Sequence, residues 1–243
     1  MDRAEFFDIC KKSFSQNGVS VYATDETLEK LFSLCEIFLE TNKSLNLSAI
    51  RDEKLVVSHH FADCLIPASF FPEGATVLDV GSGGGMPALP LAIARPDLKI
   101  TALDATAKKT AFIEKAAREI GLENVSVVTG RAEELAFTDM RESFDCVTAR
   151  AVAQTNVLSE LCAPFVKVGG LFVAMKGKKG GEELAAAENA LKKLSLQKIA
   201  CDAGKLVALD GEISERYAFV FKKTAQTPTV YPRKYAQIVK KPL

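Results

Sequence analysis

The stretch with the clearest chemical signal runs from Thr76 to Leu91 and reads TVLDVGSGGGMPALPL. A short apolar run, typical of a buried strand, leads into four glycines within five residues and then into an apolar, helix-compatible segment. Glycine adopts backbone conformations that other residues avoid, and it lets a ligand approach the main chain without a Cβ in the way. Amides at the start of the following helix favour anionic groups. The stretch therefore predicts a cofactor-binding loop rather than an ordinary turn.

Two cofactor classes are compatible with this loop. The segment Gly83–Ala88 satisfies the dinucleotide fingerprint G-x-G-x-x-G/A. The segment Asp79–Gly85 equally satisfies the acidic-x-G-x-G-x-G pattern of S-adenosylmethionine (SAM) methyltransferases. A pyrophosphate needs free amides directly after the glycines, but Met86-Pro87 follows here and proline has no amide donor. Asp79 lies on the strand before the glycines, where SAM presents its ammonium group, so the local chemistry favours SAM.

Polar residues follow the second and third predicted strands, where a nucleoside cofactor would continue. Asp104 ends the second strand, at the place for an acceptor of ribose hydroxyls, and a helix cap is the alternative role. Ala132 and Glu133 follow the third strand, where the adenine edge would lie. Glu133 could instead be an early-helix acid that complements the helix dipole.

Arg150 is the candidate catalytic residue, because it ends the fourth predicted strand, where the substrate would meet the cofactor. An arginine there could instead simply pair with Asp79 or Asp145. No Ser-His-Asp or Cys-His pattern indicates nucleophilic or acid–base catalysis. Methyl transfer from a sulfonium to a ring nitrogen with a free lone pair needs no deprotonation, and positioning alone can supply about 7–11 kcal/mol. The missing base is compatible with that reaction.

Alternating strands and helices after residue 76 position these residues. Repeated βα units imply a mostly parallel sheet with helices on both faces, and ligands in such sheets bind outside the carboxyl ends of the strands. The glycine loop, Asp104, residues 130–133 and residues 148–151 should therefore converge on one crevice. The predicted strands are Val77–Val80, Lys99–Leu103, Val125–Val128, Phe144–Thr148 and Leu171–Met175, with Ala200–Leu209 and Tyr217–Phe221 as closing strands.

Residues 1–70 are predicted to form a helical extension packed on a core domain of residues 71–243. Thr24 offers an N-cap for one helix, Asn42–Ile50 reads as a polar connector, and Glu53–Ile66 can form another helix. The only two histidines, His59 and His60, lack cysteine or acidic residues at ligand spacing. No metal site is predicted.

Charge and cysteine usage narrow the functional classes further. Lys plus Arg and Asp plus Glu balance at 31 each, so the net charge gives no indication of a nucleic-acid partner. The C-terminal segment from Tyr217 to Leu243 nevertheless contains six basic and no acidic residues, which suits phosphate contacts or a solvated tail. The six cysteines are scattered, without C-x-x-C spacing, which favours a reducing compartment. With no signal sequence and no membrane-spanning stretch, a cytoplasmic protein is expected.

Several further motifs carry a family resemblance through their order and spacing. Along the chain stand Asn46-Leu47-Ser48, His60-x-x-Asp63, LDVGSGGGMP, LDATAKK, Arg131-Ala132-Glu133, FDCVTARA, Lys176-Gly177 and YPRK. With these the chain resembles the bacterial small-subunit ribosomal RNA guanine-N7 methyltransferases, also called glucose-inhibited division protein B. It departs from that pattern after YPRK, where Tyr235–Val239 replaces a Gly-x-Pro section.

The resemblance implies a class I SAM-dependent methyltransferase fold that methylates N7 of one guanine in the decoding-region loop of 16S rRNA. The implied partners are SAM and either 16S rRNA or the small ribosomal subunit, with a monomeric enzyme and no membrane. The alternatives are a methyltransferase for a small molecule or protein, an NAD-dependent dehydrogenase, or a non-catalytic RNA-binding module. The predicted cofactor residues are Asp79, Gly81, Gly83, Gly85, Met86, Asp104, Ala132, Glu133 and Arg150. The residues predicted to hold RNA phosphates are Lys176, Lys178, Lys179, Arg233 and Lys234.

Overall fold

The computed structural model describes residues 1–243 and contains one seven-stranded sheet. The strands are β1 (Thr76–Val80), β2 (Lys99–Asp104), β3 (Val125–Thr129), β4 (Phe144–Arg150), β5 (Val166–Lys176), β6 (Leu196–Val207) and β7 (Ile213–Lys223). Their order is β3-β2-β1-β4-β5-β7-β6. The first five strands pair in parallel, and β7 pairs antiparallel with both β5 and β6. The predicted mostly parallel sheet is confirmed.

Helices cover both faces of the sheet. They are α1 (Arg3–Gln16), α2 (Asp25–Leu45), α3 (Glu53–Val56), α4 (Asp63–Leu65), α5 (Ala88–Ala94), α6 (Ala107–Ile120), α7 (Ala132–Leu135), α8 (Thr155–Cys162), α9 (Gly180–Ala186), α10 (Glu188–Lys193) and α11 (Tyr235–Lys240). A π-helical segment, Val57–Ala62, joins α3 to α4, and a 3₁₀ turn, Ile66–Phe70, follows. None of the helices combines the length and the hydropathy that crossing a membrane requires.

The N-terminal helices begin where the capping signals place them. The Thr24 hydroxyl accepts a hydrogen bond from the amide of Thr27 at 3.2 Å, as an N-cap of α2 should. Helix α2 continues to Leu45 and ends at Asn46 in the left-handed conformation, so the predicted connector starts later than Asn42. The predicted helix Glu53–Ile66 is confirmed as the continuous segment from α3 to α4.

Two hydrophobic clusters hold the sheet between its helical layers. The larger one joins Phe14 and Phe38 of the N-terminal helices to Val77 and Ile100 of the sheet. The smaller one lies on the opposite face and contains Phe172. The division into residues 1–70 and 71–243 stays a prediction. The larger cluster crosses it, because the first helices cover one face of the sheet.

The last two strands form a longer hairpin than predicted. Strand β6 begins at Leu196, ahead of the predicted Ala200, and includes the exposed residues Gln197 and Lys198. Because these residues are polar, the hydrophobicity pattern did not indicate a strand here. Polar residues are common in edge strands, and β6 is at the edge of the sheet.

Candidate active site

The glycine loop between β1 and α5 turns sharply at the carboxyl end of β1. Gly81, Gly83 and Gly85 have positive φ values of 76°, 55° and 79°, which residues with a Cβ adopt only with strain. The amides of Gly81 and Ser82 donate to the carbonyl of Leu103 on the neighbouring strand, at 2.8 and 3.0 Å. The loop is therefore fixed against the end of β2.

Asp79 carries the one buried carboxylate oxygen without a partner. The side chain is fully buried, and Oδ2 accepts from the amide of Ala88 at 3.3 Å, whereas Oδ1 has no hydrogen-bond partner. Burial raises the pKa of Asp79 to about 7, against hydrogen bonds that favour the ionised form. An unsatisfied buried acceptor is costly, so this oxygen is suited to a cationic group of a ligand.

Asp104 joins the first two loops of the sheet. Its Oδ2 accepts from the amide of Gly83 at 2.9 Å, and its Oδ1 accepts from the amide of Thr106 at 2.8 Å. The second bond goes to the amide of Thr106, which is the N-cap residue of α6, and not to an amide of the helix itself. Asp104 therefore braces the two loops and does not cap α6, so the alternative prediction of a helix cap is wrong. Each carboxylate oxygen can accept more than one hydrogen bond, so contact with ribose hydroxyls is compatible with these bonds and stays a prediction.

The third loop places Ala132 and Glu133 at the start of α7. The Glu133 carboxylate, which is 11% exposed, pairs with Nε of Arg131 at 2.6 Å. The guanidinium of Arg131 also lies over the ring of Tyr235, 5.4 Å from its centroid. The C-terminal segment thus reaches the predicted adenine end of the cofactor site, which the sequence did not indicate.

Arg150 points from the end of β4 into the N-terminal helical segment. Its Nη2 donates to the carbonyl of His59 at 2.9 Å, and its Nε lies 3.3 Å from Oδ2 of Asp63. The alternative prediction that Arg150 pairs with Asp79 or Asp145 is wrong. Asp145 instead pairs with a lysine and a threonine at the other end of the strands.

Asp63 is the functional candidate that sequence reasoning missed. Its buried carboxylate bridges two arginines, Arg150 from β4 and Arg216 from β7, the latter at 2.8 Å. The motif His60-x-x-Asp63 was noted in the sequence without a role. The neighbouring His60 is neutral at physiological pH, because burial and the charge of Arg150 lower its pKa to about 3.

A cavity of about 550 Å³ opens beside Arg150. It is lined by the segment from Arg150 to Ala153, by the end of β5 and by the β6–β7 hairpin. Of the nine predicted cofactor residues only Arg150 lines it. Val152 lines the cavity and also contacts the glycine loop, since a Cβ on Gly81 would lie 2.7 Å from its Cγ2. The cavity and the glycine loop are therefore adjacent compartments.

Two of the five lysines and arginines predicted to bind phosphate are already held in ion pairs. Lys176 lies 2.8 Å from a carboxylate oxygen of Glu183, and Arg233 lies 2.6 Å from one of Glu160. The other three, Lys178, Lys179 and Lys234, form no ion pair and are the basic side chains available to a ligand.

The C-terminal segment docks on the core although it departs from the family pattern. Ile238 of α11 is fully buried against Val157 and Leu161 of α8.

One group of possible metal ligands lies at the turn between β6 and β7. His59, Asp210 and Glu212 place their ligand atoms within 4.8 Å of one another, although His59 is far from the other two in the sequence. The prediction of no metal site is not tested by this arrangement.

Comparisons with known proteins agree on a family. The family model described as GidB, rRNA small subunit methyltransferase G, matches residues 27–209. A protein named ribosomal RNA small subunit methyltransferase G from Brevibacillus brevis is 40% identical over 246 residues, covering 100% of both chains. A protein of the same name from Clostridium perfringens strain 13 is 36% identical over 247 residues, covering 98% of this chain and 99% of its own.

Solved structures agree on the fold. Precorrin-6y C5,15-methyltransferase from Geobacter metallireducens superposes with a TM-score of 0.51 at 16% identity, covering 74% of this chain and 92% of its own. TYW2 from M. jannaschii, solved in complex with AdoMet, superposes with a TM-score of 0.52 at 16% identity, covering 66% of this chain and 74% of its own. At this identity the likeness concerns the fold alone.

Proposed function

Because the chain belongs to the rRNA small subunit methyltransferase G (GidB) family, we propose that it methylates N7 of one guanine in the decoding-region loop of 16S rRNA. Family membership makes it a SAM-dependent rRNA methyltransferase. It also decides between the two cofactors that the glycine spacing allows, in favour of SAM.

The residues of the glycine loop fit SAM. The partnerless Oδ1 of Asp79 would bind the ammonium group, and the backbone at Gly83, where a Cβ would meet no side chain, would allow close approach. Asp104 would accept from the ribose hydroxyls, and Ala132 and Glu133 would lie beside the adenine. Met86, Gly83 and Gly85 would complete the contact surface. When bound, SAM supplies an electrophilic methyl group on a positively charged sulfur.

The observation that carries the acceptor assignment is the cavity that adjoins the glycine loop and presents Arg150. N7 of guanine has a free lone pair at neutral pH, so its methylation requires alignment with the methyl group and no proton removal. Neither a histidine nor a cysteine lines the cavity, and two of its carboxylates, Asp63 and Glu183, are held in ion pairs. The third carboxylate of the cavity, Asp202, forms no ion pair, so the acceptor assignment rests on the alignment that N7 requires and not on the absence of a base.

Arg150 is proposed as the catalytic residue. Its guanidinium is fixed by Asp63, by the carbonyl of His59 and by the sulfur of Cys64 at 2.9 Å, so it keeps one orientation at the junction of cavity and loop. A fixed donor at this place would orient the incoming base against the cofactor, as positioning catalysis requires.

The RNA would be held by its phosphates through Lys178, Lys179 and Lys234, either as free 16S rRNA or within the small ribosomal subunit. We propose that the enzyme acts as a monomer in the cytoplasm and without a metal. Free cysteines throughout the chain support a reducing compartment.

The test is to incubate the purified protein with radiolabelled SAM and small ribosomal subunits that lack the modification, and then to map the label in 16S rRNA. Label at N7 of one guanine in the decoding region is the expected result. SAM binding without label at any guanine N7 would contradict the acceptor assignment and direct the search to other nucleotides of rRNA.

A further inference from the structure

A flat slot on the β6–β7 hairpin lines the same cavity as the catalytic arginine. Asp202 and Gly204 of β6 lie opposite Ala218 and Arg216 of β7, respectively. Residues two apart on a strand share a face, so these four residues belong to one face of the hairpin. Gly204 and Ala218 leave an almost level floor, with a carboxylate and a guanidinium at diagonal corners. Diagonal neighbours in such a pair lie about 7–8 Å apart, which leaves room for a planar ring between the two side chains.

Asp202 is the carboxylate of the cavity that has no protein partner. Both oxygens of Asp63 are taken by arginines, and Glu183 is paired with Lys176. Asp202 is half-buried, accepts no hydrogen bond and forms no ion pair. Its Oδ1 leans over Gly204, 3.9 Å from the position that a Cβ would occupy there. Both carboxylate oxygens of Asp202 are therefore available to accept hydrogen bonds from a ligand in the slot.

Arg216 supplies a fixed donor at the other corner. Its Nε donates to Asp63 at 2.8 Å and its Nη1 donates to the hydroxyl of Ser214 at 2.9 Å, whereas Nη2 has no partner. Because Asp63 also binds Arg150, the position of the Arg216 guanidinium is fixed relative to the catalytic residue.

We propose that the slot recognises the target base as guanine, with Asp202 accepting from N1–H and N2–H and Nη2 of Arg216 donating to O6. This inference rests on the proposed function and names its specificity-determining residue. Guanine presents two adjacent donors beside an acceptor on its Watson–Crick edge, and bases of single-stranded RNA are read on that edge. Adenine has an unprotonated N1 there and would leave Asp202 unpaired. In guanine, N7 lies on the ring edge next to O6. With O6 bound by Arg216, N7 therefore faces Arg150, which Asp63 joins to Arg216.

The experiment compares guanine with inosine at the target position. Inosine keeps N7, N1–H and O6 but lacks the N2 amino group. Small subunits are assembled with 16S RNA that carries either base at the target, and initial rates of methyl transfer are measured. The enzymes compared are the wild type, Asp202→Asn and, as a matched control, Glu215→Gln, whose exposed carboxylate lies on the opposite face of the same hairpin.

The wild type should methylate inosine at least about tenfold more slowly than guanine. Asp202→Asn should lose about tenfold on guanine and should no longer distinguish the two bases, whereas Glu215→Gln should match the wild type. SAM affinity measured by calorimetry should agree among all three enzymes, which shows that the variants are folded.

Two results would overturn the slot while leaving the proposed function intact. The first is equal rates on guanine and inosine by the wild type, a comparison that needs no variant. The second is an Asp202→Asn enzyme with wild-type activity and discrimination. A wild-type enzyme that binds SAM but never labels guanine N7 overturns the proposed function, and the slot with it.

Discussion

At the scale of single residues, Asp79 should make cofactor binding depend on pH. Burial holds its pKa at about 7, and pairing with an ammonium group requires the ionised carboxylate. SAM binding should therefore release a proton, and SAM affinity should fall as the pH drops from about 8 to about 6. Titration calorimetry in two buffers of different ionisation enthalpy measures both effects. A pH-independent affinity would show that Asp79 does not bind the cation.

The variant Asp79→Asn provides the control for that titration. Its SAM affinity should be weak and nearly constant over the same pH range. A carboxyl whose folded-state pKa is raised stabilises the fold at low pH, and that contribution is lost as the pH rises from 3.8 through about 7. Without SAM, Asp79→Asn should therefore unfold at a higher temperature than the wild type above about pH 7.

Arg150 should be more important for turnover than for stability. Arg150→Ala should lower methylation about a hundredfold or more, because a fixed donor beside the reacting groups is lost. Arg150→Lys should restore little, since an ammonium cannot reproduce the contacts to Asp63, Cys64 and the carbonyl of His59 together. The loss is measured as the single-turnover rate of methyl transfer, and the SAM affinity of each variant is measured alongside it. Wild-type rates in Arg150→Ala would remove Arg150 from the site.

Single residues of the site differ in how well the sequence predicts them. The glycine loop and the strand ends could be located because their signals are local. The pairing of Asp63 with Arg150 could not, because it joins residues far apart in the chain. Gly84, within the same loop, has a different physical reason: a Cβ there would lie 3.0 Å from Cε2 of Phe38, so close packing against α2 favours glycine.

At the scale of elements, the C-terminal helix is held by a buried ion pair. Glu160 on α8 is fully buried and binds both the backbone amide and the guanidinium of Arg233. Arg233→Ala would leave that carboxylate without its charged partner, and it should lower the free energy of unfolding by about 3 kcal/mol. Denaturant unfolding measures the difference.

Lys234→Ala is the matched control for Arg233→Ala, since the adjacent Lys234 forms no ion pair. It should unfold like the wild type and bind RNA more weakly. Equal stability of both variants and the wild type would show that Glu160 and Arg233 do not hold the tail.

The hairpin is the element that sequence patterns described least well. Its start at Leu196 was missed because edge strands carry polar residues, and its docking depends on a distant contact. The side chain of Asn17, just after α1, donates to the carbonyl of Val207 and accepts from its amide, at 3.0 and 2.8 Å. Nothing near either residue in the sequence indicates the other.

At the scale of the whole molecule, the number of cysteines that react with a thiol reagent measures how tightly the core is packed. Five of the six cysteines are buried and Cys201 on the edge strand is exposed. Burial raises the pKa values of Cys35, Cys64 and Cys146 to about 12, so these thiols stay protonated and unreactive. A thiol reagent should modify one cysteine per native chain and none in Cys201→Ser. Rapid reaction of several thiols would show that the N-terminal helices open readily.

The shared hydrophobic cluster has a consequence during protein synthesis. The helices that carry Phe6, Phe14, Phe38 and Phe61 leave the ribosome before the strands that share their hydrophobic cluster, which extends as far along the chain as Val220 of β7. Until then the nascent chain exposes a large apolar surface, of the kind that chaperones bind and that aggregates when left uncovered. Translation products that stop before β7 should therefore be insoluble, because this modifier of ribosomal RNA can close its core only after the last strand of the sheet has been made.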